Sequence, residues 1–84
     1  MTDKKILDFL DKSGSHVTRQ SNGIWRIWSG GSSAARTLRK AVELVVMANA
    51  TSFHGYTVDL VEEGLVWDEK TRIYYDARNY YYED

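Results

Sequence analysis

An α+β domain, a small single-layer antiparallel sheet packed on one or two helices, is the fold class this 84-residue sequence predicts. Three observations carry the prediction. Apolar residues recur at helical spacing twice, at Ile6, Leu7 and Leu10 and again at Ala35, Leu38, Val42 and Val45. Short runs of β-branched and aromatic residues, bounded by Asn, Gly and Asp, occupy the stretches between and after them. No proline, internal repeat or linker divides the chain, so residues 1–84 are expected to form one domain in the order α-β-β-α-β-β-β.

The first segment, TDKKILDFLDKSG, reads as a short amphipathic helix with Asp3 near its start and Gly14 at its end. SHVTRQSNGIWRIWSG follows, two strand-like runs around Asn22-Gly23, a pair suited to a two-residue type I′ turn. That turn sets Ser21 opposite Ile24, Gln20 opposite Trp25, Arg19 opposite Arg26 and Val17 opposite Trp28. Beyond Gly30-Gly31 the helical period runs from Ala34 to about Asn49, with Ser32 or Ser33 as N-cap and Val46 and Met47 widening the apolar stripe. Asn49 to Gly55 is a connection. YTVDLVEEGLVWDEKTRIYYD breaks at Glu63-Gly64 and at Asp68 to Thr71 into three strands, a helix over Val58 to Leu65 being the competing assignment. The end, ARNYYYED over 77–84, is expected as an edge strand or as a flexible, acidic, tyrosine-rich tail.

Composition excludes several classes of function. Without cysteine there is no disulfide frame, thiolate nucleophile or cysteine zinc site, and a reducing cytoplasm is the expected compartment. No apolar run suits a secretory signal or a membrane span, so a soluble protein without membrane contact is expected. His16 and His54 lie far apart, and Glu62-Glu63 and Asp68-Glu69 fall in expected turns, so no acid–base pair is assigned and catalysis is not expected. EF-hand spacing is absent, and neither a metal nor a cofactor is expected.

Charge is divided unevenly. Residues 1–56 hold eight Lys/Arg against four Asp/Glu, whereas 57–84 hold three against eight, so a net charge of −1 conceals halves of +4 and −5. Such halves either neutralise one another or form separate exterior faces, and the second arrangement is expected. In the basic half, WSGGSSAARTLRK places Arg36, Arg39 and Lys40 at the start of the expected helix with no acid before Glu43. A helix N-terminus carries partial positive charge, so cations there are disfavoured unless an anion arrives. Two readings stand open for Ser32 and Ser33: a cap alone, or part of a phosphate or carboxylate site. The stretch has neither P-loop nor GxGxxG spacing. The expected pairing of Arg19 with Arg26, beside Trp28, is a second anomaly, because like charges facing across strands repel. In the acidic half, Asp76, Tyr80, Tyr81, Tyr82, Glu83 and Asp84 combine negative charge with side chains common at protein interfaces.

These features predict a non-enzymatic interaction protein that binds and blocks a larger protein partner. In general character, though through no shared motif, the chain resembles the small proteins by which phages and mobile elements inhibit host defence, anti-CRISPR proteins among them. That resemblance implies the host-cell cytoplasm for a phage-encoded chain, and a nucleic-acid-binding complex as the kind of target whose basic channel would attract the acidic tyrosine segment. The alternative is a small nucleic-acid-binding module using Arg19, Arg26, Trp28, Arg36, Arg39 and Lys40, although a pI near 6.1 lies far from the basic range of such modules. Pairing of an exposed sheet edge with a second copy, giving a homodimer, is a further expectation.

Overall fold

Thr2 opens the first helix, its hydroxyl accepting a hydrogen bond from the Lys5 backbone N–H at 3.2 Å. In this computed structural model, which describes residues 2–51 and 55–80, α1 spans Asp3–Lys12. Asp3 in its first turn and Lys12 in its last complement the helix dipole, and Gly14, at φ +65°, ends it. Ile6 is buried, whereas Leu7, expected on the same inward stripe, is 66% exposed.

Next come β1 (His16–Arg19) and β2 (Trp25–Ser29), an antiparallel hairpin whose register differs by one residue from the expected one. Arg72 is the only non-glycine with positive φ among the described residues, so Asn22 does not meet the type I′ requirement. Instead Ser21, Asn22 and Gly23 form a three-residue loop. Gln20 N–H donates to the Ile24 carbonyl at 2.8 Å, Gly23 N–H donates to the Gln20 carbonyl at 2.9 Å, and Gly23 takes φ +90°. The slip pairs Arg19 with Trp25 and Thr18 with Arg26, which places the two arginines on opposite faces and removes the expected repulsion.

Gly31–Ala35 is a strand, β3, where the sequence reading began a helix. Its small side chains suit a central position: Gly31, Ser33, Ala34 and Ala35 are all buried, and a Cβ on Gly31 would lie 2.7 Å from the Ala48 Cβ. Helix α2 (Leu38–Thr51) therefore starts later, and its cap is Thr37, whose Oγ1 accepts from the Lys40 backbone N–H at 3.2 Å. Neither Ser32 nor Ser33 is the cap. Ser33 Oγ, buried, donates to the Ala41 carbonyl at 2.7 Å, and Ser32 Oγ donates to Asp59. Tertiary packing of α2 against β3 has overridden the helical propensity of Ala34 and Ala35.

After α2 come β4 (Asp59–Val61), β5 (Leu65–Asp68), β6 (Ile73–Asp76) and a short α3 (Ala77–Tyr80). The competing helix over Val58 to Leu65 does not form. The α+β class and the order of the expected elements hold, with β3 and α3 added. The sheet is mostly antiparallel in the order β1-β2-β3-β4, with β3 and β4 parallel, and β5-β6 form a separate two-stranded sheet. Parallel pairing follows from the helical crossover between β3 and β4.

Two clusters hold these layers together. On one face of the four-stranded sheet Ile27 and Ala35 meet Ile6, Ala41, Val42 and Val45 of the helices. On the other face Ile24 and Ala34 meet Leu65, with Tyr74 packed beside them. The β5–β6 hairpin thus covers one end of the sheet's second face. Polar ties hold it there: Gln20 Nε2 donates to the Tyr74 carbonyl at 2.9 Å, the Tyr74 N–H donates to Gln20 Oε1 at 3.1 Å, and Asn22 Nδ2 donates to the same carbonyl at 2.7 Å. The Gln20 carboxamide behaves as a peptide group would in a strand.

Candidate binding face

Alternation along the strands decides which side chains share the uncovered half of the second face. Cross-strand partners put His16, Trp28, Ser32 and Asp59 in one row, one residue from each strand. The adjoining row, nearer the covering hairpin, is Thr18, Arg26, Ala34 and Val61. Trp28 is 36% exposed, and His16 and Asp59 are exposed as well. The His16 and Trp28 rings are tilted against each other with centroids 5.5 Å apart.

Arg26 stands at the border between open and covered halves. Its guanidinium carbon lies 4.3 Å from the centroid of Trp28 on its own strand, and 5.4 and 5.2 Å from those of Trp67 and Tyr74 on the covering hairpin. The latter two rings meet edge to face at 5.0 Å. Among the described residues Arg26 has no carboxylate partner. Arg19, on the helix side of the sheet, lies 5.6 Å from the Trp25 ring and likewise has none.

The other basic residues have different surroundings. Arg36 is clasped by the acidic half: its Nε donates to Asp76 at 2.6 Å, its Nη1 donates to the Glu63 carbonyl at 2.9 Å, and Nη1 lies 3.4 Å from Glu62. The Glu62 carboxylate also accepts the Arg36 backbone N–H at 2.7 Å. The hydrogen bond from Arg36, together with one from the Arg78 backbone, outweighs burial and holds the Asp76 carboxyl down at about 2, while Asp76 raises the Arg36 pKa further. Arg39 pairs with Asp3 across the two helices. Lys40 lines a groove of about 320 Å³ with Arg36, Glu62, Glu63 and Arg78, where both signs of charge are present. The WSGGSSAARTLRK stretch is thus no empty anion cradle, and segregation of charge fails at Arg36 while it holds at Arg19 and Arg26.

Of the acidic and tyrosine residues singled out from sequence, Asp76 serves this internal clasp. The Tyr80 side chain, Tyr81, Tyr82, Glu83, Asp84 and His54 lie outside the described residues. The structure brings Arg26 and Trp28 together, and separates them from Arg36, Arg39, Ser33 and Arg19. Sequence reasoning missed Trp67, Tyr74, Asp59 and Gln20. No local signal marks them: Asp59 and Gln20 depend on strand register and loop geometry, and Trp67 and Tyr74 on docking of the second hairpin.

A row holding His, Ser and Asp invites comparison with a nucleophilic triad, and the order of the residues rules that arrangement out. A triad needs the imidazole between the hydroxyl and the carboxylate. Here Ser32 donates directly to Asp59, and His16 stands two strands from Ser32, roughly 10 Å away, with the Trp28 indole between them. What the face can do is present a rigid indole and a planar cation to something laid on it.

Comparison with known protein families, with curated proteins and with solved structures gave no match for this chain.

Proposed function

We propose that this chain is a non-enzymatic binding protein that covers a site on a larger protein partner with the open half of its four-stranded sheet. One observation carries the reading: an exposed Trp28 is stacked on an Arg26 that has no carboxylate partner among the described residues. Trp, Tyr and Arg are the residue types that dominate binding energy at protein interfaces, and stacking that holds them in place beforehand lowers the entropy lost on docking. Blocking by occupation of a surface, as in the phage and mobile-element inhibitors the chain resembles in general character, needs nothing beyond such a face.

Nucleic acid is the weaker reading. Two of the cations it relied on, Arg36 and Arg39, are engaged by Asp76, Glu62 and Asp3. Asp59 adds negative charge to the face itself. Too few free cations remain for the multiple phosphate contacts that non-specific binding requires.

A photo-crosslinking residue placed at His16 on this face, with a control at exposed Leu7 elsewhere, tests the proposal. The His16 probe should capture one polypeptide that the Leu7 probe does not, and excess untagged wild-type chain, but not excess W28A, should suppress capture. Equal capture from Leu7, or equal competition by W28A, would overturn it.

A further inference from the structure

We infer that Arg26 is a receptor for a carboxylate, and that the partner laid on this face contributes an aspartate or glutamate from an acidic peptide segment. The inference rests on the proposed binding role and adds the partner's chemistry.

A guanidinium has two kinds of recognition surface, its flat faces and its in-plane N–H edge. Three rings stand around the Arg26 guanidinium, Trp28 on β2 with its centroid 4.3 Å from the guanidinium carbon, and Trp67 and Tyr74 on the covering hairpin at 5.4 and 5.2 Å. Rings packed this closely leave less of the flat surface to a nucleobase or a partner aromatic. The edge is left for an in-plane acceptor, and carboxylates and phosphates match its fork. The surroundings choose between these two. Arg26 is the single arginine or lysine in the two rows, His16, Trp28, Ser32 and Asp59 in one and Thr18, Arg26, Ala34 and Val61 in the other. Phosphorylated peptides and nucleic acids are taken by clusters of arginine and lysine. One cation, with Asp59 repelling excess negative charge at the far edge of the face, matches one carboxylate. The Ser32 hydroxyl is already donated to Asp59, and Thr18, directly opposite Arg26, is the neighbouring hydroxyl. The surrounding rings also lower the local dielectric, which strengthens the attraction when the carboxylate arrives.

Titration of the full chain with a random glutamate–tyrosine copolymer tests this, followed by tryptophan fluorescence and by the Arg26 Nε–H resonance. Oligothymidylate and inorganic phosphate serve as the other arms. The copolymer should shift the Arg26 resonance, R26K should bind it about tenfold more weakly through loss of the charge-assisted fork, and R19Q should bind as wild type does. D59N, on the opposite edge of the face, should bind more tightly, and this decides the matter even if R26K folds poorly. Undiminished binding by R26K, no shift at Arg26, no gain in D59N, or tighter binding of oligothymidylate or phosphate than of the copolymer would overturn the inference. Loss of copolymer binding with His16 crosslinking intact would remove the carboxylate and leave the binding role standing; the reverse would remove the binding role.

Discussion

Gly31→Ala tests the packing that puts the candidate face where it is. Gly31 is buried in β3 at an ordinary backbone conformation, so the substitution introduces no positive-φ strain and probes space alone. The added methyl would meet the Ala48 Cβ at 2.7 Å, the Val58 carbonyl oxygen at 3.0 Å and the Ala48 carbonyl carbon at 3.2 Å. Two of those neighbours are backbone and yield only if α2 and the segment before β4 move away from the sheet. Overpacking of this kind costs ~2 kcal/mol. A domain of this size has a total stability of about 4 to 13 kcal/mol. Each kcal/mol moves the Tm of such a domain by about 4 to 8 °C, so the expected drop is ~8 to 16 °C. Thermal unfolding followed by circular dichroism, with urea unfolding at unchanged m, reads it. Ala48→Gly alone costs ~1 kcal/mol as a glycine inside a helix. Combined with Gly31→Ala it relieves the closest contact, so the double variant should be less destabilised than the two singles added together, by more than ~0.5 kcal/mol. A Gly31→Ala protein that melts with the wild type, or strict additivity in the double variant, would refute the close approach of α2 to β3.

Three further outcomes are expected. Asp76 has its folded pKa depressed to about 2 from 3.8, chiefly by the Arg36 hydrogen bond; its contribution to stability is complete above the unfolded value and is lost as pH falls from about 4 to 2, so Asp76→Asn should flatten that part of the acid unfolding curve, and an unchanged curve would contradict the clasp. Thr37→Ala should cost ~1 kcal/mol in urea unfolding through loss of the α2 cap, whereas Ser32→Ala, which removes only an exposed bond to Asp59, should cost less; the reverse order would restore the earlier helix start. Gln20→Ala removes two bonds to the Tyr74 backbone and should loosen the second hairpin, seen as faster amide exchange over β5 and β6 with β1 to β3 unaffected; uniform protection would show that Ile24, Ala34 and Leu65 suffice to hold it.

The elements that could be read directly were those whose signal is local. Periodicity at Leu38, Val42 and Val45 gave α2 its inward face, the breaks at Glu63-Gly64 and Asp68 to Thr71 separated β4, β5 and β6, and Gly14 ended α1. Features set by long-range contact were misread. Ala34 and Ala35 favour helix in isolation and form a central strand because α2 and β4 both need a thin neighbour. Asn22-Gly23 admits more than one hairpin loop, and the one adopted displaces every partner by one position, so Arg19 and Arg26 part company. Within the candidate face, Arg26 and Trp28 could be found because they alternate on one strand. Trp67 and Tyr74 could not, since only docking of the second hairpin brings them to Arg26.

That docking has a consequence for synthesis. Two of the three rings around Arg26 come from positions 67 and 74, so the indole of position 28 and its neighbouring cation are synthesised well before them. A chain shortened ahead of β6 would carry every strand of the larger sheet and keep Trp67, yet lose the Tyr74 ring beside Arg26 and the Gln20 ties that hold the second hairpin.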